Sequence, residues 1–255
     1  MTSRDADFLP EDPHPFDGEP ATDQKGDTLS ARITRHVRAA LFADKLTPGA
    51  RLGTEASLAA RFGVSRMAMR DSLRSLAAAG IIDIRVGLKG GIFVAQGNAE
   101  RIAETLAIQI KLIGVDKKEI FDSQIAIEVT AAGLAAINAT ESEIEGLKAH
   151  VEDMQRYIQM PDTFTTASLD FHSLVVAASH NRVLIAQFRA LQYVLTPLLA
   201  SLTTPTIALR TLASHKALIA CIEARDPDAT RQLLHRRLEV VRNRHLMNDT
   251  SDQPE

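Results

Sequence analysis

The strongest constraint on the fold is a change of hydrophobic period in the first half of the 255-residue chain. Residues 29–80 have apolar side chains at helical spacing and predict three short helices, with Thr54 and Ser65 as N-caps of the second and third. Residues 82–94 alternate with a period of two around the glycine-rich stretch 87–91, which predicts a β-hairpin. This part of the chain is therefore expected to form a small helical domain that ends in a hairpin.

The third predicted helix carries a row of arginines. A short glycine-containing turn joins it to the second helix, and in such a pair the later helix can lie in the major groove of DNA. Arg66, Arg70 and Arg74 recur every four residues on one face, where like charges repel unless an anion neutralises them. Lys89 and Gly90 lie in the hairpin turn, where glycine permits close approach to a phosphate backbone. The pattern favours a DNA-binding domain over a merely solvated basic face.

Charge divides the chain into three parts. Residues 1–28 contain four prolines and have 2 Lys and Arg against 8 Asp and Glu, so a disordered acidic tail is expected. Residues 29–97 have 11 basic residues against 4 acidic ones, as expected of a domain that binds a polyanion. Residues 98–255 are again net acidic, and the third predicted domain covers 98–248.

Composition indicates a mainly α-helical protein of the cytoplasm. Aromatic residues make up only 4% of the chain, and Ala, Leu and Ile recur at helical spacing. The single cysteine, Cys221, cannot form an internal disulfide. We find no secretory signal and expect no apolar run long enough to span a membrane, so no membrane partner is predicted.

The third domain is predicted to be an all-α bundle of six or seven helices. Asp116 with Glu119 and Thr140 with Glu143 have the spacing of capping boxes. Asp226 precedes Pro227, which is typical of an N-cap followed by proline at the first helical position. No glycine-rich phosphate loop, cysteine cluster or nucleophile elbow is present in its sequence.

Several polar residues of this bundle fall where apolar ones are expected. On the last helix, Arg237 lies near the centre of an apolar face. That face consists of Leu233, Leu234, Leu238, Val240 and Val241. Three other helices also direct polar groups inward: Gln124, Glu128, Ser168, His172 and His215.

A buried arginine needs a partner, because an unpaired charge in the interior costs several kcal/mol. Glu128 would make a structural ion pair with Arg237. A ligand carboxylate or phosphate would instead accept two parallel hydrogen bonds from the guanidinium. Both alternatives remain open at this point.

Residues 29–95 resemble the winged helix-turn-helix of the GntR family of bacterial transcription regulators. The matching landmarks are 46–52 (LTPGARL), 63–66 (GVSR), Arg70, Leu73, Leu76, Gly80 and 91–94 (GIFV). The resemblance implies that DNA contacts come from Thr54, Ser65, Arg66, Met67, Arg70, Lys89 and Gly90. Many relatives have an arginine where Ala56 stands here, so one of the family's contacts is missing.

The second half resembles the FCD ligand-binding domain of the FadR-type subgroup. The matching landmarks are 170–172 (DFH), 179–181 (SHN), 214–215 (SH) and Asp226. In that family an aspartate and three histidines bind a divalent metal inside the bundle. Here His172 and His215 match, whereas Ser168 and Arg237 occupy the positions of the aspartate and the third histidine.

These departures lead to a specific functional hypothesis. The guanidinium of Arg237 replaces the metal and holds a small organic acid directly, in a pocket formed by Gln124, Glu128, Ser168, His172, His215 and Arg237. No cofactor is then needed, although a metal-dependent sensor that uses His172 and His215 is the alternative. An enzyme that acts on a small acid and a purely structural dimerisation module are two further alternatives, and no catalytic residue is assigned.

The sequence thus predicts a dimeric, ligand-responsive transcription regulator rather than an enzyme. Two-fold symmetry of a homodimer implies a palindromic double-stranded DNA operator, read by two copies of the third helix. A ligand in the bundle would alter the separation of the two DNA-binding domains.

Overall fold

The computed structural model describes residues 28–87, 89–200 and 203–250. The predicted disordered tail therefore lies, apart from Thr28, outside the described residues. The chain divides into two compact units, Met1–Gly97 and Asn98–Glu255.

The described part of the N-terminal unit contains three helices and a small sheet. Its elements are α1 (Leu29–Phe42), β1 (Arg51–Gly53), α2 (Glu55–Phe62), α3 (Arg66–Ala78), β2 (Ile82–Arg85) and β3 (Gly91–Val94). The strands form an antiparallel sheet in the order β1-β3-β2. The predicted helices and hairpin are confirmed, and β1 is an additional strand that the hydrophobic pattern did not indicate.

Local sequence explains where these helices begin. The Thr54 hydroxyl accepts a hydrogen bond from the Ser57 amide at 3.1 Å, and the Ser57 hydroxyl accepts one from the Thr54 amide at 2.8 Å. The Ser65 hydroxyl accepts from the Ala68 amide at 3.2 Å. Gly63, between the two helices, has a φ of 64°, which glycine adopts without steric cost. The turn therefore fixes α3 against α2.

The core of this unit is apolar. It is formed by the inward faces of α1, α2 and α3 and by one side of the sheet, with Val37 and Met69 fully buried. Its buried residues are Ile33, Val37, Ala40, Leu46, Leu52, Leu58, Ala59, Met69, Leu73, Leu76, Ile82, Ile92 and Val94. This packing leaves the opposite face of α3 exposed.

The C-terminal unit is a bundle of seven α-helices within the described residues, as the sequence predicts. They are α4 (Ala99–Ile113), α5 (Lys117–Asn138), α6 (Glu141–Met154), α7 (Pro161–Ala177), α8 (Arg182–Ala200), α9 (Pro205–Glu223) and α10 (Pro227–Thr250). A short 3-10 turn, Gln155–Tyr157, follows α6. The capping boxes that begin α5 and α6 are both present.

Two of these helices, α5 and α8, are long and apolar enough to cross a membrane by length and composition alone. The expectation that no such run exists is therefore wrong on those criteria. Half of the apolar window of α5 is buried, and this helix packs against α7, α8, α9 and α10. Its apolar character belongs to the centre of the bundle.

Candidate functional site

The exposed face of α3 presents the predicted arginine row. Arg66, Arg70 and Arg74 are all exposed, while Met69 on the opposite side is fully buried. Met67, at the N-terminal end of the helix, is 76% exposed. The beginning of α3 therefore combines two arginines and an apolar side chain on an open surface.

One arginine of this row has an acidic partner that the sequence pattern did not reveal. Arg70 donates from its Nε and Nη2 atoms to the two carboxylate oxygens of Glu55, at 3.0 and 2.9 Å. These hydrogen bonds, with further attraction from Arg66 and Arg74, lower the pKa of Glu55. The bidentate pair orients Arg70 across the turn between α2 and α3.

The hairpin turn places Lys89 in solvent beside a glycine that has little space. A Cβ atom on Gly90 would lie 2.5 Å from the Arg85 carbonyl oxygen and 2.8 Å from that of Gly87. Arg51 donates to the Gly90 carbonyl oxygen at 3.3 Å. The compact turn thus leaves Lys89 exposed at its tip.

The predicted DNA-contact residues thus share one unit but differ in local role. Arg66, Met67 and Lys89 are exposed, and Arg70 is exposed but paired. Thr54 and Ser65 use their hydroxyl oxygens to cap α2 and α3. Their contacts with DNA remain predictions.

A cavity of about 70 Å³ lies inside the bundle, among α5, α7, α8, α9 and α10. Its walls include five of the six predicted ligand-binding residues: Gln124, Ser168, His172, His215 and Arg237. The sequence reasoning did not identify Thr211, Arg244 and His245, which also line it. Arg244 could have been found, since it lies seven residues after Arg237 and hence on the same face of α10.

Glu128 lies behind the cavity wall and is only 1% exposed. Its Oε1 atom accepts a hydrogen bond from Gln124 Nε2 at 2.7 Å, and its Oε2 atom lies 2.5 Å from His172 Nδ1. The carboxylate thus accepts a hydrogen bond through Oε1 and is in close ion-pair contact with His172 through Oε2, although neither Oε2 nor His172 Nδ1 has a hydrogen-bond partner among the described residues. It does not pair with Arg237, so the structural ion pair between Glu128 and Arg237 is not formed, and Glu128 supports the cavity rather than lining it.

Arg237 is half-buried in the cavity wall and donates from Nη2 to the Thr211 hydroxyl at 2.7 Å. Among the described residues no carboxylate pairs with it. Burial, followed by the positive charges of Arg244 and Arg210, lowers the pKa of Arg237. One neutral hydroxyl leaves most of the guanidinium donors available to a ligand.

His215 is the most deeply buried histidine of the cavity, at 3% exposure. Its ring stacks on Phe171 at 4.0 Å between centroids and meets the His172 ring edge-on at 5.1 Å. Burial, and then the charges of His172, Arg237 and His150, lower the pKa of His215 well below its usual value. Its buried Nδ1 atom has no hydrogen-bond partner among the described residues, which a bound ligand could supply.

The cavity residues do not fit a divalent metal. His172 and His215 supply imidazole nitrogens, but His172 Nδ1 is engaged by Glu128, and Ser168 and Arg237 replace the other two ligands. In the described ranges no three His, Cys, Asp or Glu residues form a group that could hold a metal ion. Asp170 is exposed and accepts from Gln192, and His235 is also exposed, so neither completes the set.

In comparison with known proteins, two different family models match the two parts of the chain. Residues 29–94 match the model of "Bacterial regulatory proteins, gntR family", and residues 119–240 match the model of the FCD domain. The two models together cover most of the chain. Each half of the chain therefore matches a known family model.

Individual relatives agree with these matches. The "Putative L-lactate dehydrogenase operon regulatory protein" of Escherichia coli K12 is 28% identical over 231 residues, which cover 84% of each chain. The "Galactonate operon transcriptional repressor" of the same organism is 28% identical over 198 residues, 74% of this chain and 84% of that one. A solved structure, Streptococcus agalactiae GntR, is similar in fold, with a TM-score of 0.56 and 19% identity over 84% of this chain and 100% of that chain.

Proposed function

The chain belongs to the GntR family of bacterial regulatory proteins and carries an FCD domain, and from this premise we propose that it binds a palindromic operator as a homodimer and senses a small organic acid. The single observation that carries the sensing role is Arg237, a half-buried guanidinium that faces a cavity and has no carboxylate partner among the described residues.

The exposed face of α3 supports the DNA-binding role. Arg66 and Arg70 lie in the first turns of the helix, which are nearest the base edges when such a helix enters the major groove. Arg70 arrives already oriented by Glu55, so less side-chain freedom is lost when it binds DNA. Lys89 on the hairpin turn can reach a neighbouring phosphate.

An apolar face of α4 supports the homodimer. Ile102, Leu106 and Ile113 lie on one side of this helix and are 55%, 39% and 74% exposed. Contiguous exposed apolar residues mark surfaces that contact another protein. A symmetric contact through this face would pair two DNA-binding units, which matches a palindromic operator.

The names of the relatives indicate where to look for the effector. One is named for an L-lactate dehydrogenase operon and another for a galactonate operon, and lactate and galactonate are both carboxylates. A guanidinium holds a carboxylate through two parallel hydrogen bonds, which fits the free donors of Arg237. A small organic acid in this cavity, acting in the cytoplasm, is therefore the effector that we propose.

An enzyme and a metal-dependent sensor are both less well supported than a metal-free acid sensor. The relatives are named as regulators. Within the described residues His172 lines the cavity but its Nδ1 atom lies against Glu128, which does not line it, so the two do not present a free acid and base to a substrate. The incomplete ligand set argues against a metal.

Replacement of Arg237 by methionine tests the proposal, because methionine fills similar space without hydrogen-bond donors. Melting temperature and binding to an operator selected from genomic DNA are measured with a panel of small acids that begins with L-lactate. Arg237→Met should dimerise and bind DNA like the wild type but lose the response to the acid. Arg236→Met, an exposed neighbour on α10, should keep it.

A folded Arg237→Met protein that still gains stability from the same acid would remove Arg237 as the anchor. Elemental analysis of chelator-free protein belongs to the same experiment. Far less than one divalent ion per chain is expected, and a stoichiometric ion would favour the metal-dependent alternative instead.

A further inference from the structure

Arg237 is not the only cation in the cavity wall. Arg244 also lines the cavity, seven residues further along α10. Two helical turns separate the residues, so their Cα atoms lie on one face about 10 Å apart along the axis. Thr211 accepts a hydrogen bond from Arg237, whereas His245 follows Arg244 in the sequence and also lines the cavity.

No acidic residue among those that the structure describes offsets these two charges. The described residues that line the cavity include neither aspartate nor glutamate. Glu128, behind the wall, is held by Gln124 and His172. Arg244 has no ion pair with any described residue, and Arg210 adds a third positive charge that acts on Arg237. Two uncompensated cations in one small cavity are costly without an anionic partner.

The size and lining of the cavity limit that partner. Its volume of about 70 Å³ holds roughly five to seven water-sized spheres. Apolar side chains between the polar groups, such as Leu169, Ile207 and Val241, can contact a short hydrocarbon chain. The cavity thus suits a short molecule with a charge at each end.

We propose that the cavity selects organic acids with two carboxylates, about four carbons long, with one carboxylate on Arg237 and the other on Arg244. This inference rests on the proposed acid-sensing function and narrows its effector to a dianion. A monocarboxylate would leave Arg244 without a partner.

Butyrate and succinate provide a matched test, since they have the same chain length and differ by exchange of a methyl group for a carboxylate. Calorimetric titration of the full-length protein should show succinate binding at least about tenfold more tightly, because a charge-assisted contact is gained. Monomethyl succinate has one negative charge instead of the two of succinate, and it should bind like butyrate.

Two variants assign the second carboxylate. Arg244→Gln should reduce succinate affinity to about the butyrate level and leave butyrate affinity unchanged. Arg236→Gln removes the same charge from an exposed site on α10 and should change neither. The melting temperature of each ligand-free variant reports whether it is folded. The comparison of the three acids on the wild-type protein tests the proposal even if a variant fails to fold.

The outcomes separate this inference from the proposed function. Equal binding of butyrate and succinate, with both lost in Arg237→Met, would overturn the dianion and leave an acid sensor. An equal loss of both ligands in folded Arg244→Gln would also overturn it. Binding of neither acid at millimolar concentration would remove the anion site and both proposals for this cavity, while operator binding would still test the regulator.

Discussion

The two units of the molecule place their polar side chains in opposite ways. In the described part of the N-terminal unit, Ser72 is the one buried polar residue, and the arginines of α3 are exposed. Over its described residues the bundle buries nine polar or charged side chains, among them Glu128, His172 and His215. A large polyanion is approached from outside, whereas a small ligand needs polar groups that an interior holds in position.

Two glutamates show what this difference means energetically. Glu55 pairs with Arg70 at the surface, where the arginine side chain is 57% exposed and water screens the attraction. Glu128 pairs with His172 in the interior, where the two side chains are 1% and 10% exposed. The first pair mainly sets an orientation, while the second brings together two polar groups that cannot reach water.

The largest effect is expected when the buried pair is broken. Glu128→Leu removes the acceptor of the Gln124 amide and the buried ion-pair partner of His172, which should cost about 3–5 kcal/mol of unfolding free energy. Urea unfolding followed by circular dichroism measures this loss. Glu55→Leu, which breaks the exposed pair, should change unfolding little and instead weaken operator binding through Arg70.

Similar losses of stability in the two variants would contradict the claim that only the buried pair contributes strongly to stability. A Glu128→Leu protein as stable as the wild type would also contradict it, because the buried network would then have no energetic role. Glu128→Gln is a milder test, since it keeps the shape and one acceptor oxygen for Gln124.

An intermediate effect is expected for DNA binding by α3. Arg66 is exposed and pairs with no described carboxylate, so Arg66→Ala should leave folding intact. Operator affinity should fall by about 1–3 kcal/mol, as expected for loss of a bidentate contact with a base. Fluorescence anisotropy with operator and scrambled DNA measures both affinity and specificity.

Lys89→Ala is the matched control in the hairpin turn. If Lys89 contacts phosphate, its loss should weaken binding to operator and scrambled DNA alike and make the logarithmic salt dependence shallower by about one unit. Unchanged operator binding by folded Arg66→Ala would remove that residue from the interface, and a Lys89 effect confined to one base position would contradict a phosphate contact.

The same contrast explains what the sequence could predict. Caps such as Thr54 and Ser65 depend on three or four neighbouring residues, so spacing alone located them. Helical periodicity also placed His215 and Arg237 at the cavity. Val240, expected on the same apolar face, is 52% exposed, because the true buried stripe of α10 is narrower than the pattern indicated.

Partners from different helices could not be found in this way. Periodicity shows which side chains of α5 and α10 point inward, but not how far each helix is shifted along the other. Arg237 was therefore the only interior partner that the sequence suggested for Glu128, whereas the structure places Glu128 against His172 on α7. The bond between Glu55 and Arg70 likewise spans 15 residues and depends on the packing of α2 against α3.

The smallest expected effect concerns pH and again separates the two units. Burial lowers the pKa of His215 well below its usual value, so the folded bundle keeps this ring neutral. In the unfolded chain it binds a proton below about pH 6.5, so unfolding takes up protons and stability falls as the pH decreases. The slope from this one group is at most about 1.4 kcal/mol per pH unit, and full stability is present above that pH.

Substitution of His215 isolates this contribution. His215→Phe keeps an aromatic ring against Phe171 but cannot titrate, so urea unfolding of the ligand-free, chelator-treated protein should depend less steeply on pH between 7.5 and about 5. His235→Gln, at an exposed position on α10, should retain the slope of the wild type.

A full slope in His215→Phe would show that the buried ring is not the group that takes up the proton. The acid sensitivity would then have to come from another buried side chain such as His245, whose pKa is lowered mainly by burial.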